Sequence, residues 1–269
     1  MSATTGNTVW SSIVPRKMSS HPYYPRTLDL PTYVPNSYPG ELIFGGFGIV
    51  CAGVFFTALA LSRHLSVTRR AVFVWCVLSG AIHMFLEAYF VWYYAELPAM
   101  TTPTAMVWKE YARCDSRYLW GERGVWMIEA ITGFVWGPLL WYIAARLRSA
   151  PSKTHTYMPW LLMVSVGQFY GTVLYFATSL RVEPLTPSQN LNGASLLEWA
   201  TSVASRTVYD DGDPHPYYFW VYFVLMNAMW LVVPAACGTW AMCDLLRGPG
   251  RVVGTAPARA KVSAERKKR

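Results

Sequence analysis

The sequence is poor in charge and lacks the motifs of cofactor and nucleophile chemistry. Only 14% of its residues are charged, and its five cysteines are scattered without C-x-x-C or Cys/His spacing, so neither a zinc site nor a disulfide framework is indicated. It has no glycine-rich phosphate loop and no Ser/His/Asp or Cys/His set. No cleavable signal is evident, because the first 40 residues are polar and rich in proline. Proton transfer and ligand binding remain as the chemistry to look for.

Long apolar runs dominate the rest of the chain. Crossing a hydrocarbon core takes about 20 apolar residues, and five stretches are long enough. They lie at about 42–62, 71–95, 124–145, 159–180 and 217–243. We therefore predict an all-α membrane protein whose five transmembrane helices form one bundle with an internal apolar cavity. A polar segment over 1–40 precedes this membrane domain of 41–245, and a basic tail over 246–269 follows it.

The distribution of Lys and Arg predicts the orientation in the membrane. A net charge of +8 would suit nucleic-acid binding in a soluble protein, but in a membrane protein the positive-inside rule explains it better. We expect no nucleic-acid partner. The segments on the side of the C-terminus carry 14 Lys and Arg, against 9 on the other side, which places the C-terminus in the cytosol. The last residues, 265–269, are similar to a dilysine-type retrieval signal; a basic tail on an anionic leaflet is the alternative.

An imidazole and a carboxylate interrupt the second apolar stretch. His83 and Glu87 are four residues apart, so both lie on one face of a helix. An ionisable residue at that depth costs about 2.5–3.5 kcal/mol on insertion scales and is rarely kept without a task. This face is predicted to look into a cavity, and a structural hydrogen bond between the two is the simpler alternative.

Polar residues of two other stretches are expected at the same depth. With a rise of about 1.5 Å per residue, Glu129 and Asn227 fall close to the level of His83 and Glu87, and Trp230 lies one turn from Asn227. Scattered structural groups have no reason to share a level, so we predict a single site. The alternatives are that Glu129 reaches the headgroups, that Asn227 only joins helices and that Trp230 only packs.

Two kinds of chemistry suit such a site. A buried carboxyl group can stay protonated at neutral pH and act as an acid, and a neighbouring imidazole can relay its proton. An aromatic face can stabilise a positive charge. The residues by themselves predict either acid–base work on a lipid or the binding of a lipophilic cation.

Several segments resemble the EXPERA-domain family, in particular its emopamil-binding-protein branch. They are HPYYP at 21–25, YVPN at 33–36, IHMFLEAYFVWYY at 82–94, WKEYARCDSRY at 108–118, MIEAITGFVWGP at 127–138, SVGQFYGTVLYF at 165–176 and HPYYFWVYFVLMNAMWLVVP at 215–234. They occur in family order over most of residues 21–245. The chain departs from the pattern at Thr172, where an acidic residue is expected, and in a longer 181–214 loop.

The resemblance implies a sterol Δ8,Δ7-isomerase of the endoplasmic reticulum membrane. The reaction moves the C8=C9 double bond to C7=C8 through a carbocation, without a cofactor or a metal ion. The implied partners are a Δ8-sterol substrate, lipophilic amine inhibitors and membrane lipid, and a homodimer is left open. By matching motif positions, the implied catalytic residues are His83, Glu87, Glu129, Asn227 and Trp230, and the implied substrate-binding residues are Thr132, Tyr111 and Tyr118. Thr132 could instead bond only the carbonyl group four residues before it.

Two competing functions stay open at this point. The first is a non-catalytic protein that binds sterols or cationic amphiphiles, like the sigma-2 receptor branch of the same family. The second is a proton-coupled transporter, because His and Glu inside a membrane also mark proton relays. Inverted repeats, typical of such transporters, are not evident in the sequence.

Overall fold

The fold is a bundle of five long helices. The computed structural model describes residues 21–182 and 207–247, together with Pro184, Ser195, Glu198 and Ser202. In chain order the elements are α1 (Gly40–Leu61), α2 (Val67–Tyr93), α3 (Pro103–Tyr111), α4 (Arg117–Trp120), α5 (Arg123–Ser149), α6 (Met158–Ser179), β1 (Arg181–Val182), β2 (Thr207–Val208) and α7 (Tyr218–Arg247). Short 3-10 turns precede α3 and α6. The prediction of an all-α membrane fold with five spanning helices is confirmed: α1, α2, α5, α6 and α7 are each long and apolar enough to cross a membrane.

Several predicted boundaries were too narrow. Helix α2 begins at Val67 instead of 71, α5 continues to Ser149 instead of 145, and α7 continues to Arg247 instead of 243. The predicted spans ended at the first charged residue. A helix can continue beyond it, because the long side chains of Lys and Arg in its end turns reach the membrane interface. The antiparallel β1–β2 pair was not predicted either. The first 20 residues, most of the 183–206 loop and the tail from 248 lie outside the described residues.

The segment between α2 and α5 is held by local caps. Thr102 accepts a hydrogen bond from the Ala105 amide, and Pro103 occupies the first turn of α3, where its missing N–H is not needed. Gly121, with φ of 69°, ends α4 in the left-handed conformation that glycine adopts without strain. The Glu122 side chain then accepts from the Val125 amide and begins α5. The chain thereby turns back sharply, so that α4 lies beside the start of α5.

Two apolar clusters leave a polar layer between them. One cluster contains Val72–Val74 of α2, Leu140 of α5 and Leu161 of α6; the other contains Phe90 of α2 and Val125 of α5. Residues 79–87 of α2 and 165–172 of α6 lie between the cluster positions along each helix. They include every buried polar side chain of α2 and all those of α6 except Ser179. The apolar clusters hold the helices together, so the polar side chains of the layer between them are available for binding or catalysis.

Helices α2 and α5 are in close contact at this layer. Both widen there into π-helical turns, Ile82–Glu87 and Thr132–Trp136, which pack against each other. In α5 the cause is Pro138, which has no N–H and whose ring would clash with a carbonyl group four residues back. Gly137 permits the contact, because a Cβ there would lie 2.6 Å from Met84 Cγ. The backbone of α5 therefore rests against the part of α2 that carries His83 and Glu87.

Candidate active site

An apolar cavity lies inside the bundle at the level of the polar layer. Its volume is about 540 Å³, within the roughly 300–1,000 Å³ that is usual for small-molecule sites. Residues from each of the helices α1 to α7 line it. All eight sequence-predicted site residues are among them: His83, Glu87, Tyr111, Tyr118, Glu129, Thr132, Asn227 and Trp230. The structure thus brings together groups that are up to 147 positions apart in the chain.

Two carboxyl groups and an imidazole form the polar centre of the wall. His83 Nδ1 lies 2.5 Å from Glu87 Oε2, and all three side chains are buried. The carboxyl groups of Glu87 and Glu129 both line the wall of this cavity. Two carboxyl groups that face one apolar cavity are costly to ionise together, so a pair of this kind favours keeping one proton. The arrangement can therefore give and take a proton without a water molecule.

Tyr118 completes the carboxyl pair from the side of α4. Its hydroxyl donates to Glu129 Oε1 at 2.5 Å. The Tyr118 ring stacks on Trp108 with 4.7 Å between ring centroids, and Trp108 Nε1 donates to the Leu86 carbonyl in the π turn of α2. Burial, followed by the charge of Glu129, raises the pKa of Tyr118 well above its usual value, so the phenol keeps its proton as a donor. Sequence reasoning assigned Tyr118 to the substrate; its bond to Glu129 was missed.

Asn227 belongs to a different part of the cavity wall. Its Nδ2 donates to Tyr111 Oη at 2.8 Å and to the Phe223 carbonyl at 2.7 Å, and Tyr111 Oη is also 3.3 Å from Tyr175 Oη. The amide nitrogen is therefore directed to a tyrosine and to its own helix. It orients the Tyr111 hydroxyl, which sequence reasoning had assigned to the substrate.

Trp230 packs directly against the imidazole. Its ring centroid lies 4.9 Å from that of His83 at an interplanar angle of 30°, and 5.0 Å from the Trp75 ring. The indole therefore joins the cavity to the His83 side of the acid–base group. A π face in this position can stabilise a positive charge on the imidazole or on a ligand.

Two threonines form neutral parts of the wall. Thr132 Oγ1 donates to the Glu129 carbonyl at 3.0 Å, three residues back and not four as sequence reasoning considered. Thr172, which stands where an acidic residue was expected, is buried and donates to the Gln168 carbonyl at 2.8 Å. Both hydroxyls are satisfied by their own helix, so they present methyl groups and small volume to a ligand.

Sequence reasoning missed two residues that contact His83. Gln168 Nε2 lies 2.9 Å from His83 Nε2, and Ser79 Oγ lies 3.2 Å from the same atom. Ser79 precedes His83 by one helical turn, and Gln168 stands within the quoted α6 motif. The sequence signal that could have identified Gln168 was a polar amide in the middle of an apolar stretch. Within the part of the chain that the structure describes, no three His, Cys, Asp or Glu side chains group as metal ligands.

Several known proteins have sequences similar to this chain. A 3-beta-hydroxysteroid-Delta(8),Delta(7)-isomerase from Rattus norvegicus is 36% identical over 221 residues, covering 80% of this chain and 84% of the relative. A probable enzyme of the same name from Arabidopsis thaliana is 29% identical over 218 residues, 80% and 85% of the two chains. A protoglabretal synthase from Ailanthus altissima is 29% identical over 229 residues, 81% and 89% of the two chains.

A family model also matches this chain over residues 103–241, the region from α3 to α7 that carries Glu129, Asn227 and Trp230. That model describes EXPERA, the expanded EBP superfamily. Together with the extent of the similarity to the rat isomerase, the match shows that the chain belongs to the EXPERA family.

Proposed function

We propose that this protein is a sterol Δ8,Δ7-isomerase that moves the ring double bond from C8=C9 to C7=C8. The observation that carries the proposal is the set of Glu87, Glu129 and His83 on the wall of one apolar cavity, with His83 Nδ1 2.5 Å from Glu87 Oε2. A cavity with a nearly apolar lining inside a membrane bundle suits a sterol, and the relatives with this activity in their names cover most of the chain.

The proposed reaction needs one proton donor and one proton acceptor. The carboxyl pair gives a proton to C9, and the electrons of the C8=C9 double bond form the new C9–H bond. A cation is left at C8. A base then removes a proton from C7, and the electrons of that C–H bond form C7=C8. One proton enters and one leaves, so the sterol is neither oxidised nor reduced, and Glu87, His83 and Glu129 suffice for both transfers.

The cation at C8 needs stabilisation in a site with an apolar lining. In the proposal Trp230 supplies it with an aromatic face, a contact worth about 0.5–2 kcal/mol for a desolvated cation. The ionised member of the carboxyl pair supplies the opposite charge from α2 or α5. Thr132 and Tyr111 shape the cavity around the sterol rings, with Asn227 holding the Tyr111 hydroxyl in place. Lipophilic amines would bind in the same place, as charged mimics of the cation.

The proposed location is the endoplasmic reticulum membrane with the C-terminus in the cytosol. The five spanning helices found among the described residues, being odd in number, put the start of α1 and the end of α7 on opposite sides of the membrane. Fourteen of the Lys and Arg residues are on the side of the C-terminus, which the positive-inside rule assigns to the cytosol.

A cell that lacks Δ8,Δ7-isomerase tests the function. Expression of the chain should lower the Δ8-sterol content and restore Δ7-sterols and later products. A matched control carries Glu87→Gln and Glu129→Gln together, which keeps both side-chain volumes and removes both acids. If Δ8-sterol still accumulates with the wild-type protein present at normal levels, the isomerase proposal is wrong. Saturable amine binding by that same protein would then identify a non-catalytic sterol or cationic-amphiphile binding protein.

A further inference from the structure

Gln168 of α6 contacts His83 on the side opposite Glu87. Its Nε2 lies 2.9 Å from His83 Nε2 and 2.9 Å from Ser79 Oγ. All three side chains are buried. Among the described residues, the other amide atom, Gln168 Oε1, is buried without a hydrogen-bond partner. The amide therefore presents its donor side to the imidazole and leaves its acceptor unused.

This orientation decides where the imidazole carries its proton. A neutral imidazole has one N–H, and the nitrogen without hydrogen is an acceptor. Because Gln168 donates to His83 Nε2, the ring proton lies on Nδ1 and is donated to Glu87 Oε2 at 2.5 Å. Glu87 then acts as an acceptor, which is the role of an ionised carboxylate. Of the two carboxyl groups that line the cavity, Glu129 is then left to carry the proton.

We propose that Gln168 is a positioning residue that holds His83 in the Nδ1–H tautomer and so makes Glu87 the base and Glu129 the acid of the isomerisation. The assignment of the two roles rests on the proposed function. If the Gln168 amide were rotated by 180°, Oε1 would face His83 Nε2. A hydrogen bond between these two acceptor atoms would require a proton on Nε2. His83 Nδ1 would then accept from a protonated Glu87, and the roles of the two carboxyl groups would be exchanged.

Ser79 supports the donor orientation. Its Oγ accepts the second N–H of the Gln168 amide, so both amide hydrogens have partners only while Nε2 faces α2. The serine is one helical turn before His83, and it holds the amide from the same helix that carries the imidazole. Gln168 and Ser79 thus act through His83 and do not themselves exchange protons with the sterol.

Two substitutions separate the donor function from the volume of the side chain. Gln168→Met keeps the length but removes the donor, and Gln168→Glu keeps the shape but offers an acceptor. Ser165→Ala is the control, because Ser165 is also buried on α6 but packs against Gly238 outside the cavity. The full-length protein is labelled with 15N in its histidine rings, and His83 is identified by the signals that disappear in His83→Gln.

The ring 15N spectrum reports the tautomer directly. Wild-type His83 should show a protonated Nδ1 and an unprotonated Nε2. Gln168→Glu should move the proton to Nε2, and Gln168→Met should give a mixture of tautomers. In sterol assays both variants should lose activity in kcat with little change in KM, by about ten- to a hundredfold, the usual effect of removing the partner that orients a functional histidine. Ser165→Ala should match the wild type in both measurements.

Unchanged His83 signals in both Gln168 variants would overturn the proposal, as would a wild-type kcat in Gln168→Met. If Gln168→Met does not fold, the isosteric Gln168→Glu decides alone. If the wild-type protein has no isomerase activity, the proposed function fails, but the spectra still show whether Gln168 controls the tautomer.

Discussion

Replacing Tyr118 with phenylalanine removes a single hydroxyl from the candidate site. That hydroxyl donates to Glu129 Oε1 at 2.5 Å. The aromatic ring, which stacks on Trp108 with 4.7 Å between centroids, is retained. Because Trp108 is itself anchored on the Leu86 carbonyl, the phenylalanine ring should keep its place. The substitution therefore tests the hydrogen bond without emptying the cavity wall.

The expected loss follows from the charge that Glu129 develops. When Glu129 gives up its proton it becomes a carboxylate, and the bond from Tyr118 strengthens as that charge forms. Hydrogen bonds to charged groups contribute about 1.5–3 kcal/mol. At about 1.36 kcal/mol for each tenfold change in rate, kcat should fall by about 10- to 150-fold. KM should change little, because a neutral sterol does not compete for this bond.

The assay measures Δ7-sterol formed from Δ8-sterol by purified protein in detergent. Tyr157→Phe is the matched control, since Tyr157 is also buried and donates to the Pro151 carbonyl at 2.8 Å, away from the cavity. It should cost some stability and leave kcat unchanged. If Tyr118→Phe retains the wild-type kcat, the hydrogen bond does not stabilise the transition state. The assignment of Glu129 as the acid of the reaction would then be wrong.

Three further predictions follow from the same geometry. Glu87→Gln and Glu129→Gln should each lower turnover at least about a hundredfold, the scale of acid–base catalysis, with Δ8-sterol accumulating in rescued cells; near-normal rates in both would exclude carboxylate catalysis. Trp230→Leu keeps an apolar side chain but removes the π face, so a protonated lipophilic amine should bind several-fold more weakly, as expected from the loss of a cation–π contact of about 0.5–2 kcal/mol. Competition curves with an amine and with neutral sterol check this, and equal losses for both ligands would leave Trp230 a packing role only. In intact microsomes protease should remove a tag placed after Arg247 and spare one at the N-terminus, as the positive-inside rule requires; the reverse pattern would invert the orientation.

The sequence was sufficient for properties that depend on neighbouring residues. Apolar length predicted five spanning helices, because a hydrocarbon core requires uninterrupted apolar helix of a known length. The spacing of His83 and Glu87 predicted that both face the same way, and the structure has them 2.5 Å apart. Counting residues along each helix also placed Glu129, Asn227 and Trp230 near the same depth, where they line one cavity.

Other properties of the site were decided by the tertiary structure. Depth alone cannot say which polar groups meet, because that depends on how each helix is rotated about its axis and how closely it approaches its neighbours. Asn227 shares the level of the carboxyl pair but donates to Tyr111, whereas Tyr118, from a short helix outside the spans, reaches Glu129.

The chain by itself determined the number of spanning helices and the residues able to exchange protons, since these are set by the identity and spacing of residues along one helix. The partners of those residues were decided only in the folded bundle. Gly137 lets α5 approach His83 and Glu87, and α6 brings Gln168 to the other nitrogen of the imidazole. The physical reason is that a hydrogen bond between helices is determined within a few tenths of an ångström by all the packing contacts together, and no single segment of the sequence contains that information.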